Sequence, residues 1–187
     1  PNPLTPYGKS KLEAEKYLLK RPLPTDKCLY IFRPAMVHGP GNKGNMNLLY
    51  KVIKNGFPYP LGAYQNKRSY TSIQNLMLIV ESFLNNEISS GVFNVCDDEA
   101  VSTVTIVDLI NKSLNKEGII WKLPKNLLQG IARVGDICNL PLNSMRLKKM
   151  TESYVVSNTK LKIALNIEKL PVTASEGLMY TFRSFLP

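Results

Sequence analysis

The chain has 187 residues, a formal net charge of +10, 44% hydrophobic residues and 20% charged residues. That is globular composition, and the length supports a core that needs no staple. It argues against a disulfide framework or C-x-x-C zinc site, because Cys28, Cys96 and Cys138 stand far apart; against a charged tail; and against a crossing helix, since no apolar run approaches roughly 20 residues.

The chain begins at Pro1 without an initiator methionine, so a piece cut from a longer protein is expected. Thr5-Pro6-Tyr7 predicts a helix start, with Thr5 as the cap and Pro6 at the first helical position. The helix runs from Tyr7 to Leu19 and stops before Pro22 and Pro24. Cys28 to Phe32 is a short apolar run of the kind found in a parallel sheet covered on both faces. His38-Gly39-Pro40-Gly41 breaks it. A helix from Asn47 to Asn55 ends at Gly56. Phe57 to Tyr64 reads as loop with a single short strand, and Arg68 to Thr71 as another. Ile73 to Leu84 carries helical apolar spacing. Gly91 to Cys96 is a second buried-type strand. Helices then dominate: from the cap Ser102 to Leu114, Leu123 to Cys138, Ser157 to Leu165, and Thr173 to Leu186. The last opens on a capping box, Thr173-x-x-Glu176.

Early alternation followed by helices predicts an α/β fold. It is the end of a partial doubly wound, Rossmann-like parallel sheet with a smaller, mostly helical lobe. Residues 1–41 and 70–97 are assigned to the sheet domain. Residues 42–69 and 98–187 are assigned to the lobe, which is expected to bind substrate.

Tyr7 and Lys11 lie one turn apart and project from one helix face. An ammonium beside a phenol favours the phenolate, and a phenol–phenolate couple suits acid/base work on a sugar hydroxyl. Spacing alone is weak evidence, because about one accidental Tyr-x-x-x-Lys is expected in a chain of this composition. Tyr50 and Lys54 form a second such pair. Context favours Tyr7, which follows a proline at a helix start and precedes a buried strand.

The segment Leu4-Thr5-Pro6-Tyr7-Gly8-Lys9-Ser10-Lys11-Leu12-Glu13-Ala14-Glu15 resembles the active-site helix of extended short-chain dehydrogenase/reductases. Phe32-Arg33-Pro34-Ala35-Met36-Val37-His38-Gly39-Pro40-Gly41 is similar to the strand and turn that follow in that family. Asn66 to Thr71 resembles the segment whose arginine meets a substrate diphosphate. Phe93-Asn94-Val95 resembles the last parallel strand, and Pro171 to Leu178 the start of the closing helix. Gly39 to Met46 and Gly56 to Gly62 look most like the UDP-glucose 4-epimerase branch of the NAD-dependent epimerase/dehydratase family.

The resemblance implies roles. Tyr7 is the acid/base at sugar C4, and Lys11 holds the nicotinamide ribose of NAD or NADP. The backbone of Pro34, Ala35 and Met36 lines the nicotinamide. Asn47 and Arg68 contact the diphosphate of a UDP-sugar, with Arg146 a weaker candidate. No metal is implied. Two positions depart from the pattern: Met36 stands where many 4-epimerases have asparagine, and His38 where tyrosine is usual. The chain has no G-x-x-G-x-x-G loop, and its one G-x-G-x-x-G string, Gly39 to Gly44, belongs to the turn segment already matched after the strand. Most of the cofactor site is therefore expected in a missing N-terminal part, together with the serine or threonine partner of Tyr7, and the isolated piece is expected to be inactive.

The resemblance thus points to a UDP-hexose 4-epimerase. A 4-keto-sugar reductase of polysaccharide synthesis is the alternative within the family. A non-catalytic nucleotide-sugar-binding or dimerisation module is the alternative of another class. A homodimer through the first helix and a cytoplasmic setting are expected. A nucleic-acid partner is not, because aromatics and basic residues form no interleaved platform.

Overall fold

The computed structural model describes residues 2–138 and 143–186. The first helix, α1 (Pro6–Lys20), leads to strand β1 (Tyr30–Pro34) and, after one residue, to β2 (Met36–His38). Helix α2 (Asn45–Lys54) and strand β3 (Tyr70–Ser72) follow, then α3 (Ile73–Asn85) and β4 (Gly91–Val95). The remaining elements are α4 (Thr103–Ser113), α5 (Lys125–Cys138), α6 (Ser144–Thr151), α7 (Thr159–Leu165) and α8 (Ala174–Arg183).

The fold is α/β with parallel strands, as expected. β1 pairs with β4 from Tyr30↔Gly91 to Pro34↔Val95, and β2 pairs with β3 from Met36↔Tyr70 to His38↔Ser72. Both pairings are parallel. The first strand lies two residues later than the apolar run predicts, because Tyr30 to Pro34 is the stretch that meets β4. Strand β2 was not expected. It exists because Ala35 donates its N–H to the Val95 carbonyl at 2.9 Å, after which the chain leaves β4 and pairs with β3. Helix α6 was also not expected. Its sequence is dominated by basic and polar residues, and only Leu147 is buried. In place of a strand, the Phe57–Tyr64 loop makes isolated bridges, Tyr59↔Ile120 and Leu61↔Lys122.

Two apolar clusters hold these elements. Ile79 and Phe83 of α3 pack with Phe93 and Val95 of β4 and Leu161 of α7. Tyr50, Leu61, Ile106, Ile110, Leu128, Leu178 and Phe182 form part of a larger cluster beneath the helices. Each fully buried side chain of this size contributes roughly 2 kcal/mol. The helix starts follow their caps: Thr5, Ser72, Ser102 and Thr173 each accept a backbone N–H, and Thr173 with Glu176 closes the capping box.

Between the clusters lies a buried polar knot. Asp97 follows β4 and is 1% exposed. Its carboxylate accepts the Ser72 N–H at 3.0 and 3.1 Å, the Ser72 hydroxyl at 2.9 Å and the Asn75 amide at 2.7 Å. Asn75 in turn donates to the Val172 carbonyl and accepts the Val172 N–H. Thr181 of α8 donates to the Gly177 carbonyl at 3.0 Å and so accepts from His38 Nδ1–H at 2.9 Å. His38 is therefore a buried tie between β2 and α8. Helix α8 approaches so closely that a Cβ on Gly177 would stand 2.6 Å from Ser72 Cβ.

The two acids after Asp97 each bind another element. Asp98 accepts the Asn158 amide, the Leu170 N–H and Lys162 Nζ. Burial opposes its ionisation, but these donors outweigh it and hold the carboxyl below its ordinary range. Glu99 accepts the Ala174 N–H at the start of α8.

Replacing Asp97→Ala leaves three buried donor groups without an acceptor, and we expect a loss of about 3 kcal/mol. Gly177→Ala forces α8 off β3 at a cost of about 2 kcal/mol. Thermal unfolding followed by circular dichroism measures both. A midpoint unchanged in either variant contradicts the packing described.

Candidate functional site

The site is assembled where β1 and β4 end. Pairing switches there from β1–β4 to β2–β3, so the chain forks at Pro34-Ala35-Met36. In α/β sheets such a fork, outside the carboxyl ends of parallel strands, is where ligands have room to bind. Pro34 is exposed, Ala35 is half-buried and Met36 is 43% exposed, so the fork is open.

Helix α1 carries Tyr7 and Lys11. Thr5 Oγ1 accepts the Gly8 N–H at 3.1 Å, which fixes the turn that presents Tyr7. Gly8 admits Pro3, since a Cβ there would lie 2.8 Å from Pro3 Cβ. Tyr7 is 72% exposed. The Lys11 ammonium lies over the Tyr7 ring, 5.4 Å from its centroid. The two side chains thus share one side of the helix, in a cation–π contact.

α1 buries no residue. Its tie to the sheet is polar: Arg33 on β1 grips Glu15 with two parallel N–H···O bonds, the Nε–Oε2 one at 2.9 Å. The Arg33 guanidinium holds the Glu15 carboxyl below its usual range, and Glu15 raises Arg33 in return. Arg33 precedes the fork directly, so this pair sets the helix against the fork.

The second Tyr-x-x-x-Lys pair has a different fate. Tyr50 is 2% exposed, stacks on Phe182 and leaves its hydroxyl without a hydrogen-bond partner. Burial pushes its phenol up. It is a core residue. Burial likewise pushes Tyr59 up to about 12, so that phenol stays neutral at ordinary pH.

The other expected site residues stand apart from Tyr7. Asn47 is half-buried in the first turn of α2, its amide 3.5 Å from the Asn42 carbonyl. Arg68 precedes β3 and bridges Val101 and Tyr154. Its guanidinium donates to the Glu152 carbonyl at 3.1 Å and to the Lys149 carbonyl, capping the end of α6. This is a structural use that its place in the sequence did not announce. Arg146 is exposed on the same α6, its N–H on the Asn143 cap. Among the described residues, no hydrogen bond or ring contact joins Tyr7 or Lys11 to Asn47, Arg68 or Arg146. Residues missed in the sequence are Glu15, Asp97, Asp98 and Glu99. The run Asp97-Asp98-Glu99 after a buried strand was the available signal.

No protein-family model matches the chain. It is 33% identical to a UDP-glucose 4-epimerase of Vibrio cholerae over 187 residues, covering 96% of this chain and 53% of that protein. It is 31% identical to the N-acetyl-alpha-D-glucosaminyl-diphospho-ditrans,octacis-undecaprenol 4-epimerase of Escherichia coli, covering 97% of this chain and 57% of that protein. The chain thus spans about half the length of the curated relatives it matches. Among solved structures, the Bordetella bronchiseptica enzyme WbmG in complex with NAD and UDP superposes with a TM-score of 0.68 at 20% identity, over 98% of this chain and 51% of that one. The UDP-N-acetylglucosamine 4-epimerase from Bacillus cereus gives a TM-score of 0.68 at 21% identity, over 97% and 56%. The fold is that of about half of these enzymes.

Acidification should loosen α1. Glu15 has a lowered folded-state pKa, so its contribution is present above the unfolded value, near pH 4, and is lost as pH falls through the lower folded value. Protection of α1 amides, taken relative to their intrinsic exchange, should fall as pH drops below about 4, and Arg33→Ala should give the same fall at neutral pH, for about 1 kcal/mol or less. Equal protection of α1 in that variant would mean that the helix is held by something else.

Proposed function

We propose that this chain is the C-terminal part of a UDP-hexose 4-epimerase, with Tyr7 as acid/base and Lys11 as its cationic partner. The observation that carries the reading is the exposed Tyr7 ring under the Lys11 ammonium, on a helix anchored beside an open strand fork. The 4-epimerase relatives support it.

The chain fits one end of a dinucleotide. The open backbone at Pro34, Ala35 and Met36 suits the flat nicotinamide, and Lys11 suits its ribose. No G-x-x-G-x-x-G loop is present for the pyrophosphate. When bound, NAD supplies hydride acceptance and return at sugar C4. Tyr7 takes the proton of the C4 hydroxyl as the ketone forms and gives one back as the hydroxyl is restored. Lys11 places positive charge beside the ring. Asn47 and Arg68 contact the diphosphate, Arg68 with the part of its fork that α6 leaves open, and Arg146 is a weaker candidate. NADP in place of NAD belongs to the reductase alternative, where cofactor is consumed. Self-association through the exposed face of α1 fits the same reading.

The complete enzyme containing this chain should interconvert UDP-hexoses at C4 without added reductant. Tyr7→Phe should lower kcat by about 100- to 10,000-fold. Lys11→Met should lower kcat and weaken cofactor binding together. The 187-residue chain alone should show no turnover. A product assay with and without NADPH checks all of this. Turnover that depends on NADPH would replace the epimerase by a reductase, and an unaffected Tyr7→Phe variant would remove Tyr7 from the chemistry.

A further inference from the structure

Helix α5 carries more apolar surface than the fold uses. It buries Leu128, Ala132 and Gly135 on one face. A second stripe, Leu127, Ile131 and Val134, repeats the same helical spacing alongside the first, with Ile137 at its edge. These four side chains are 51%, 43%, 54% and 83% exposed. Trp121, just before the helix, is 50% exposed, and Met145 of α6 is 64% exposed. The polar side of α5 holds Lys125 and Arg133.

Charge identifies the occupant. Between residues 122 and 150 stand Lys122, Lys125, Arg133, Arg146, Lys148 and Lys149 against a single acid, Asp136. That acid is already engaged by the Ser144 N–H and hydroxyl at the start of α6. Among the described residues, none of Lys122, Lys125, Arg133, Lys148 and Lys149 makes a salt bridge. A second copy of the chain would bring the same excess of positive charge against this face. An anionic lipid surface offers both what the stripe needs and what the cations need. An amphipathic helix with leucine and isoleucine on one side and lysine and arginine on the other is the form that lies in a membrane interface.

We propose that the outer face of α5 docks on an anionic membrane surface. Leu127, Ile131, Val134 and Ile137 enter the headgroup region, and the excess of cations on the surrounding surface supplies the attraction to lipid phosphates. The contact is peripheral: no helix among the described residues is long and apolar enough to cross. The inference is independent of the reaction, so loss of one leaves the other intact.

Co-sedimentation of the chain with vesicles tests it. With about 30% phosphatidylglycerol in phosphatidylcholine, we expect at least about tenfold more bound chain than with phosphatidylcholine alone, falling as salt rises. A variant carrying Ile131→Ser, Val134→Ser and Ile137→Ser should lose about tenfold of that binding while its thermal unfolding stays unchanged. Ile137→Ser alone, at the most exposed position, repeats the test if the triple variant misfolds. Lack of sedimentation with anionic vesicles overturns the proposal. So does equal binding by the serine variants. A dimer in lipid-free solution that the serine variants dissolve would assign the face to a second copy instead.

Discussion

A carboxylate sealed from water must be met by donors, and the fold is arranged around one that is. Asp97 is 1% exposed and takes its donors from Ser72 and Asn75. Those donors sit where β3 turns into α3, so the acid fixes the end of β4 to the start of α3. Asn75 carries the connection to Val172, one residue before the cap of α8. Removing any member leaves a polar group stranded in a dry interior, which costs more than the bond itself contributes. The apolar clusters on either side supply most of the stabilisation. The knot decides how they face each other.

The same logic continues outward along the chain. Asp98 gathers α7 and the Leu170 turn, and Glu99 gathers the start of α8. Three consecutive acids thus bind three different elements. This also places the fork firmly. Ala35 hangs on the Val95 carbonyl two residues before Asp97, so the backbone proposed to line the nicotinamide is braced by the most constrained part of the molecule.

Much of this was legible in the sequence, for identifiable reasons. Helix starts were readable where Thr5, Ser102 and Thr173 stand as capping residues before periodic stretches, whereas the cap Ser72 went unread because it lies inside a strand. Strands β1 and β4 were readable because their runs are apolar and short. Strand β2 was not, since Met36-Val37-His38 is only three residues long and owes its pairing to a partner far along the chain. Helix α6 was hidden by its basic composition, and its end is held by Arg68 from 81 residues away. The Glu15–Arg33 pair was hidden for the same reason: no local pattern announces a contact between a helix and the strand after it.

Tyr50 and Tyr7 separate spacing from chemistry. Both stand one turn before a lysine. Tyr50 lies in the largest apolar cluster, where burial keeps its phenol neutral and nothing can reach it. Tyr7 lies on a helix that buries nothing, held by a cap at one end and one ion pair at the other. An acid/base group must meet its substrate, so the exposure that would weaken a core residue is what a proton-transfer role demands. The cost is a helix whose position rests on directional polar contacts. Those contacts specify orientation better than apolar packing of similar strength, because a bidentate guanidinium–carboxylate pair tolerates little rotation. The proposed acid/base role asks one phenol to meet one sugar hydroxyl, and that kind of anchor serves it better than an apolar face.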